Sequence, residues 1–289
     1  MAKLKKQHMT IHWKAIVQDD SSIPATEATL KEKATLVGRI GLMMLSVGTG
    51  AWRVRNSMNK VARCLGITCT ADIGLLAISY TCIEGTDTYT QSISNPTTGV
   101  NTHKLMQLEL FMKEFPDKVS TYSVKHIHEV LDEIQKLPAN YKAWNLGLAS
   151  ALACGAFTFL LGGGPVEMCC AFLGAGVGNF VRKKMLGHSI SLLANVAVSV
   201  AASCLVYVLT ILLAQSLLSV SAVHQAGYIC AMLFVIPGFP LITGGIDLAK
   251  LDLRSGLERV SYALLIILTA TMTGWATAGI PSPRLLTAS

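Results

Sequence analysis

The sequence predicts an integral membrane α-helical bundle of five transmembrane helices preceded by a small cytosolic α+β domain. Three observations carry that prediction. The chain of 289 residues is 52% hydrophobic and only 14% charged, with a mean hydropathy of +0.50. Soluble domains carry about 25% charged residues, so an ordinary cytosolic enzyme is disfavoured, and disordered or coiled-coil chains need still more charge. The charge is also uneven: residues 1–143 hold 17 Lys+Arg and 13 Asp+Glu, whereas residues 144–289 hold 7 and 4. Finally, the second half contains five long apolar stretches, at 144–161, 168–181, 190–213, 222–246 and 260–280. A spanning helix needs about 20 mostly apolar residues, with roughly 17 tolerated.

Residues 1–26 read as a flexible polar lead-in. They lack the continuous apolar core of a signal peptide and contain Asp19, Asp20, Ser21 and Ser22. Lys3, Lys5 and Lys6 suit a cytosolic N-terminus near acidic lipid. The α+β domain is expected over 27–140. Apolar residues recur at helical spacing from 28 to 47 through Leu30, Ala34, Val37, Ile40 and Met44. Gly48 and Gly50 interrupt that helix, a second runs over 51–65, and Gly66 is placed as its stop. Segments 67–73, 75–83 and 86–94, rich in Ile, Thr and Tyr, predict three strands, with a turn at Asn95-Pro96. Helices over 100–115 and 123–137 close the domain.

The transmembrane domain is expected over 141–289. The second stretch is short unless residues 165–167 begin it. The loops agree with five spans: Lys136 and Lys142 precede the first, Arg182, Lys183 and Lys184 follow the second, and Lys250, Arg254 and Arg259 follow the fourth. The alternate loops, 162–167 and 214–224, carry no Lys or Arg. The positive-inside rule then predicts a multi-pass protein of the cell membrane, with the N-terminus cytoplasmic and the C-terminus outside.

The fourth stretch contains Pro237, Gly238, Pro240, Gly244 and Gly245, followed by Asp247. A proline removes a backbone donor and clashes with the preceding turn, so no straight helix accommodates this segment. Backbone groups freed at membrane depth must be buried in protein or line a wet cavity. Transporters present half-helix ends to ions and carboxylates in this way; a packing kink is the plainer reading. Asp247 is either an inward-facing functional carboxylate or an interfacial capping group, and Glu167 is similarly placed, with a structural role favoured. Asn179 and Asn195 are amides that first of all bond a neighbouring helix, and Gly174, Gly176 and Gly178 offer a small-residue face for close helix contact.

Chemistry of other kinds finds no support. His126 and His128, two apart, do not share a helix face. The eight cysteines show no paired spacing, and Cys169-Cys170 lacks zinc geometry. The net charge of +7 comes without a block of like charges, which argues against nucleic-acid binding. There is no Walker A loop or GxSxG sequence. The sequence therefore predicts no enzyme, no catalytic residue, no cofactor and no metal.

These residues resemble the threonine/serine exporter family, in its short, split-subunit branch. The resemblance rests on Pro237-Gly238-Phe239-Pro240-Leu241-Ile242, then Asp247, then Ser255-Gly256-Leu257-Glu258-Arg259. Gly48 with Arg53-Val54, Gly99–His103, Gly163-Gly164, Arg182 and Asn195 match in order, so the likeness covers about residues 34–280. Where the family motif often carries Asn, this chain has Thr243. The resemblance implies a secondary transporter subunit that exports small hydrophilic metabolites (threonine and serine, or succinate-like dicarboxylates) and is coupled to the proton motive force. It also implies a second small membrane subunit that completes the pathway, since the chain stops at Ser289 after its fifth span; a homo-oligomer is the alternative partner arrangement. The implied substrate and ion site comprises Pro237, Gly238, Phe239, Pro240, Thr243, Asp247 and Asn195. A reading from another class is a non-transporting membrane sensor or scaffold whose cytosolic domain binds a ligand.

Overall fold

The computed structural model describes residues 11, 13–17, 23–95, 99–138, 141–186, 190–218 and 225–279. Lys3, Lys5, Lys6, residues 19–22 and Pro96 lie outside them. The chain divides into two compact units, Met1–Ala139 with Phe239–Val260, and Asn140–Gly238 with Ser261–Ser289.

The first unit is α+β. Helix α1 (Leu30–Ser46) opens on a capping box, in which Thr29 Oγ1 accepts from Glu32 N and the Glu32 carboxylate accepts from Thr29 N at 3.1 Å. Orphan donors of the first turn are satisfied on both sides. Helix α2 (Ala51–Cys64) follows, and Gly66 ends it at φ +74°. Strands β1 (Thr68–Ile73), β2 (Ala77–Glu84) and β3 (Asp87–Ser94) form an antiparallel sheet in the order β1-β2-β3. Register runs Thr68↔Ile83 to Ile73↔Ile78 and Ala77↔Ser94 to Glu84↔Asp87. Gly85, at φ +60°, takes the first central position of the β2–β3 hairpin loop, where a II′ turn places glycine.

Period-two alternation sorts the sheet into two faces. Cys69, Ile73, Ile78, Tyr80, Cys82 and Ile93 enter the core, while Ser79 bonds Ser92 and Thr81 bonds Thr90, each at 2.9 Å, on the exposed face. The register also sets the buried free thiols of Cys69 and Cys82 opposite each other, a pairing that their spacing along the chain does not announce. Helix α1 is buried along most of its length against this sheet. A side chain at Gly38 would place its Cβ 2.2 Å from the Tyr80 hydroxyl, so glycine is what admits that ring. Helices α3 (Thr102–Lys118) and α4 (Val124–Lys136) are capped by Asn101 and Ser123, which accept from Lys104 N at 3.0 Å and His126 N at 3.2 Å. The expected lead-in is partly built in: Trp13, on a single 3-10 turn, and Ala25 are buried.

The unit is completed from the far end of the chain by α9 (Gly238–Ala249) and the start of α10 (Leu253–Ala278). Leu251 turns the chain between them at φ +62°. At Gly244 a Cβ would lie 3.2 Å from Gly256 O, which keeps the two helices close. Ion pairs and hydrogen bonds tie this helical hairpin to the N-terminal elements: Arg55 to Asp252 at 2.6 Å, Arg254 to Asp72, and Glu258 to the Leu75 amide at 2.6 Å.

The second unit is helical: α5 (Ala143–Leu160), α6 (Pro165–Met185), α7 (Leu192–Leu218), α8 (Gln225–Ala231) and the rest of α10. Small residues let the backbones approach. A Cβ on Gly147 would sit 3.2 Å from Gly176 O, and one on Gly174 would sit 2.8 Å from Ser203 O. Asn179 Nδ2 donates to Leu146 O at 3.0 Å and to Ser150 Oγ at 2.5 Å; Ser203 donates to Ala231 O at 2.7 Å, and Tyr228 to Gly274 O at 2.6 Å. Asn179 thus serves helix packing.

Among the described residues three helices are long and apolar enough to cross a membrane: Ala143–Leu160, Leu192–Leu217 and Leu253–Ala278. A fourth crossing is available only as a broken pair, Gln225–Val235 with Gly238–Ala249, bent by 69°. The fold is therefore mostly helical with a small three-stranded sheet, and the stretch expected at 222–246 is not one continuous helix. Helix α6 carries Glu167 in its first turn and Arg182, Lys183 and Lys184 in its last, a distribution that complements the helix dipole.

Candidate functional site

The break has a local cause. Helix α8 ends at Ala231, a 3-10 turn covers Leu233–Val235, and Ile236 leaves helical space at φ −58°, ψ 123°. That is the extended conformation a following proline imposes. Helix α9 then restarts at Gly238, with Pro240 in its first turn, where a missing N–H costs no intrahelical bond. Pro237 and Gly238 belong to the second unit, as does Asn195; Phe239, Pro240, Thr243 and Asp247 belong to the first.

Within the first unit, Asp247 is 0% exposed, and each of its oxygens is engaged. The carboxylate accepts from Ala51 N at 3.0 and 3.1 Å, from Ser255 Oγ at 2.9 Å, and pairs with Arg259 Nε at 3.2 Å. Ala51 is the first residue of α2, whose cap position is Gly50, with no side chain to offer. Asp247 therefore acts as the N-cap of α2 from nearly 200 residues away in sequence (|i−j| = 196). There it answers both an orphan donor and the positive end of the helix dipole. Arg259, 3% exposed, also donates to Ser255 Oγ at 3.1 Å and from Nη2 to Thr49 O at 2.8 Å. Gly50 is required at its position, because a Cβ there would meet Asp247 Oδ1 at 2.8 Å.

Thr243 is nearly buried, and its hydroxyl donates to Phe239 O at 2.9 Å and Pro240 O at 3.3 Å on its own helix. Phe239 lies 3.4 Å from where a Cβ on Gly48 would stand, and Gly48 takes φ +93°. In the second unit, Asn195 Nδ2 donates to the Arg182 carbonyl at 3.2 Å, and Arg182 Nη1 donates to Phe234 O at 3.1 Å, a carbonyl freed just before the break. Ser255 and Arg259, which complete the Asp247 cluster, were not among the expected site residues. Their signal is physical: a buried acid requires a cation, and Ser255 and Arg259, four apart, share one face of α10.

A second polar feature of the first unit is a cavity of about 450 Å3, whose walls include Trp13, Arg39, Asn101, Lys104, Asp132 and Gln135. Arg39 pairs with Asp132 and donates from Nη1 to His128 O at 2.8 Å. His128, fully buried, stacks on Trp13 with ring centroids 4.8 Å apart. Burial first, and then the Arg39 charge, push the His128 pKa down to about 3. It is therefore a neutral core imidazole at physiological pH. Among the described residues no group of three His, Cys, Asp or Glu is arranged to hold a metal ion.

Three helices long and apolar enough to cross a membrane, with a proline-broken further segment, mark a multi-pass membrane protein. The chain belongs to the threonine/serine exporter family, whose model matches residues 35–280. It is 25% identical over 247 residues to a protein of Klebsiella aerogenes described as "Probable succinate transporter subunit YjjP", covering 82% of this chain and 92% of that one. It is 24% identical over 235 residues to the protein so described in Escherichia coli K12, covering 81% and 88%. No solved structure is a significant match.

Proposed function

We propose that the chain is one subunit of a secondary transporter exporting small hydrophilic metabolites, either threonine and serine or succinate-like dicarboxylates, coupled to the proton motive force. Five membrane crossings, with the N-terminus cytoplasmic and the C-terminus outside, accommodate the three long apolar helices, the charged α6 and the broken pair. A second small membrane subunit completes the pathway, as the description of the relatives as subunits suggests.

The observation that carries this reading is the buried Asp247–Ser255–Arg259 cluster, held between the far end of the helix that follows the break and the start of α10. A charge pair so placed can be exchanged during a cycle. Loss of the Asp247 contacts to Ala51 N and Arg259 frees α9 to move. Thr243, Phe239 and the backbone at Pro237, Gly238 and Pro240 form the substrate-facing segment, and Asn195 is a separate substrate contact within the second unit. The chain performs no covalent chemistry.

Efflux of labelled serine, threonine and succinate from proteoliposomes tests the proposal, with this chain alone and with its second subunit. Flux that requires both subunits and a proton gradient is the expected result. Flux from the chain alone replaces the second subunit with a homo-oligomer. The 450 Å3 cavity with Arg39, Lys104 and Asp132 on its walls favours one rival, a sensor whose α+β unit binds a small charged ligand. That rival replaces the transporter reading if neither arrangement gives flux while serine or succinate still raises the melting temperature and Ser46→Phe, which fills the cavity, abolishes the rise.

A further inference from the structure

Arg182 differs from four other buried or half-buried cations of the protein. Lys33 pairs with Glu84, Arg39 with Asp132, Arg55 with Asp252 and Arg259 with Asp247. Arg182 is half-buried in the membrane unit, and among the described residues no carboxylate pairs with it. The second unit contains a single acidic side chain, Glu167. Glu167 lies fifteen residues earlier on the same helix, about 22 Å away at 1.5 Å per residue, and its carboxylate accepts from the Gly164 amide at 2.5 Å. Of the five N–H donors on the Arg182 guanidinium, one is used among the described residues, on Phe234 O. A half-buried guanidinium at the end of an apolar helix, with donors unspent, is costly to leave so and suits an anionic ligand.

A second, independent feature adjoins it. Asn195 is 3% exposed and tied through Nδ2 to the Arg182 carbonyl, and its Oδ1 is buried without a partner among the described residues. The amide is correctly oriented, because a carbonyl only accepts, so the nitrogen must face it. The unmatched atom is therefore an acceptor, and a buried acceptor without a donor is destabilising until one arrives.

We infer that Arg182 and Asn195 bind the transported metabolite, with the guanidinium fork taking a carboxylate and Asn195 Oδ1 accepting from a donor on the same molecule. The inference rests on the transporter reading and narrows it. The substrate is a small molecule with one ionised carboxylate and one hydrogen-bond donor, which is an ammonium or hydroxyl in a hydroxy amino acid and a protonated second carboxyl in a dicarboxylic acid. Arg182 suits a carboxylate better than lysine would, because its planar fork binds two oxygens at once. The Phe234 carbonyl at the helix break holds the guanidinium in position, so the break and the cation form one device.

The test is direct binding, by titration calorimetry on the full chain co-purified with its second subunit. Its ligands are serine against serinol, which lacks only the carboxylate, and succinate against its monomethyl and dimethyl esters. The wild type is expected to bind serine or succinate and to reject serinol and the dimethyl ester. Arg182→Gln is expected to weaken carboxylate binding by at least about tenfold, with Arg182→Lys intermediate. Asn195→Ala is expected to weaken serine and succinate while leaving propionate, which carries no second donor, unchanged. A preference for serine marks the donor as an ammonium or hydroxyl, and a preference for succinate marks it as a protonated carboxyl. Wild-type affinity in a folded Arg182→Gln protein overturns the inference. So does an Arg182→Lys protein with unchanged affinity if the glutamine variant fails to fold, and so does a wild type that binds none of the carboxylates. Unchanged flux in Arg182→Gln refutes this site alone, whereas absence of flux in the wild type refutes the transporter reading.

Discussion

Replacing Asp247 by asparagine changes almost no volume and removes one charge. The structure sets the consequence. The asparagine oxygen still accepts from Ala51 N, since asparagine is as good a cap as aspartate, so the end of α2 stays covered. What changes is Arg259, 3% exposed, whose only ion-pair partner among the described residues is Asp247. Its bonds to Ser255 Oγ and Thr49 O satisfy two donors but do not offset its charge. Breaking a buried pair by removing one partner costs about 3–5 kcal/mol. For a protein of 150–250 residues, 1 kcal/mol corresponds to roughly 2–4 °C in melting temperature, so the expected fall is about 6–20 °C. Scanning fluorimetry of the purified protein in detergent measures it. The double variant Asp247→Asn/Arg259→Gln removes the stranded charge and is expected to recover more than half of the loss. A single variant that melts within about 3 °C of wild type, or a double variant no better than the single one, would refute the account of this cluster as a buried, charge-balanced lock.

Two further predictions concern the α+β unit. His128 has a folded pKa of about 3 against an ordinary value of 6.5, so below pH 6.5 the unfolded chain takes up a proton that the folded one refuses. Stability from this residue is full above pH 6.5 and is lost as pH falls, by about 2 kcal/mol between pH 6.5 and 5 at 1.36 kcal/mol per unit. His128→Gln should flatten that part of a denaturation-against-pH profile, and an unchanged slope would show that the imidazole is protonated in the fold. Gly38→Ala should destabilise by about 1–3 kcal/mol through overpacking against Tyr80, read as a shift in denaturation midpoint. A neutral result would mean that α1 and the sheet separate more easily than their packing indicates.

Much of the secondary structure was legible because it is written in local patterns. The three strands, predicted at 67–73, 75–83 and 86–94, are found at Thr68–Ile73, Ala77–Glu84 and Asp87–Ser94, since alternation and β-branched content act within a few residues. Gly66 stops α2 where a C′ glycine should. The break at Pro237 was equally legible, because a proline's missing donor is a property of the residue itself. The bond partners of Asp247 were not. Neither composition nor spacing connects residue 247 with the amide of residue 51, and a carboxylate near an apolar boundary reads equally well as a substrate group or a cap. The burial of Trp13 is likewise illegible, because one aromatic ring in a polar segment carries no period. Its burial depends on His128 and Arg39, which are distant in sequence.

Residue chemistry over a few neighbours settles which segments are apolar, where the three strands lie, and that one apolar segment must break; helix ends shift by up to seven residues, as at Leu253, expected at 260. Tertiary packing alone brings Phe239–Val260 to the α+β unit, sets Asp247 as the cap of α2 against Arg259, and leaves Arg182 of the second unit without a counter-charge among the described residues. Those outcomes depend on which buried charges meet, and a buried charge is balanced by whatever the fold brings within about 4 Å, at any distance along the chain.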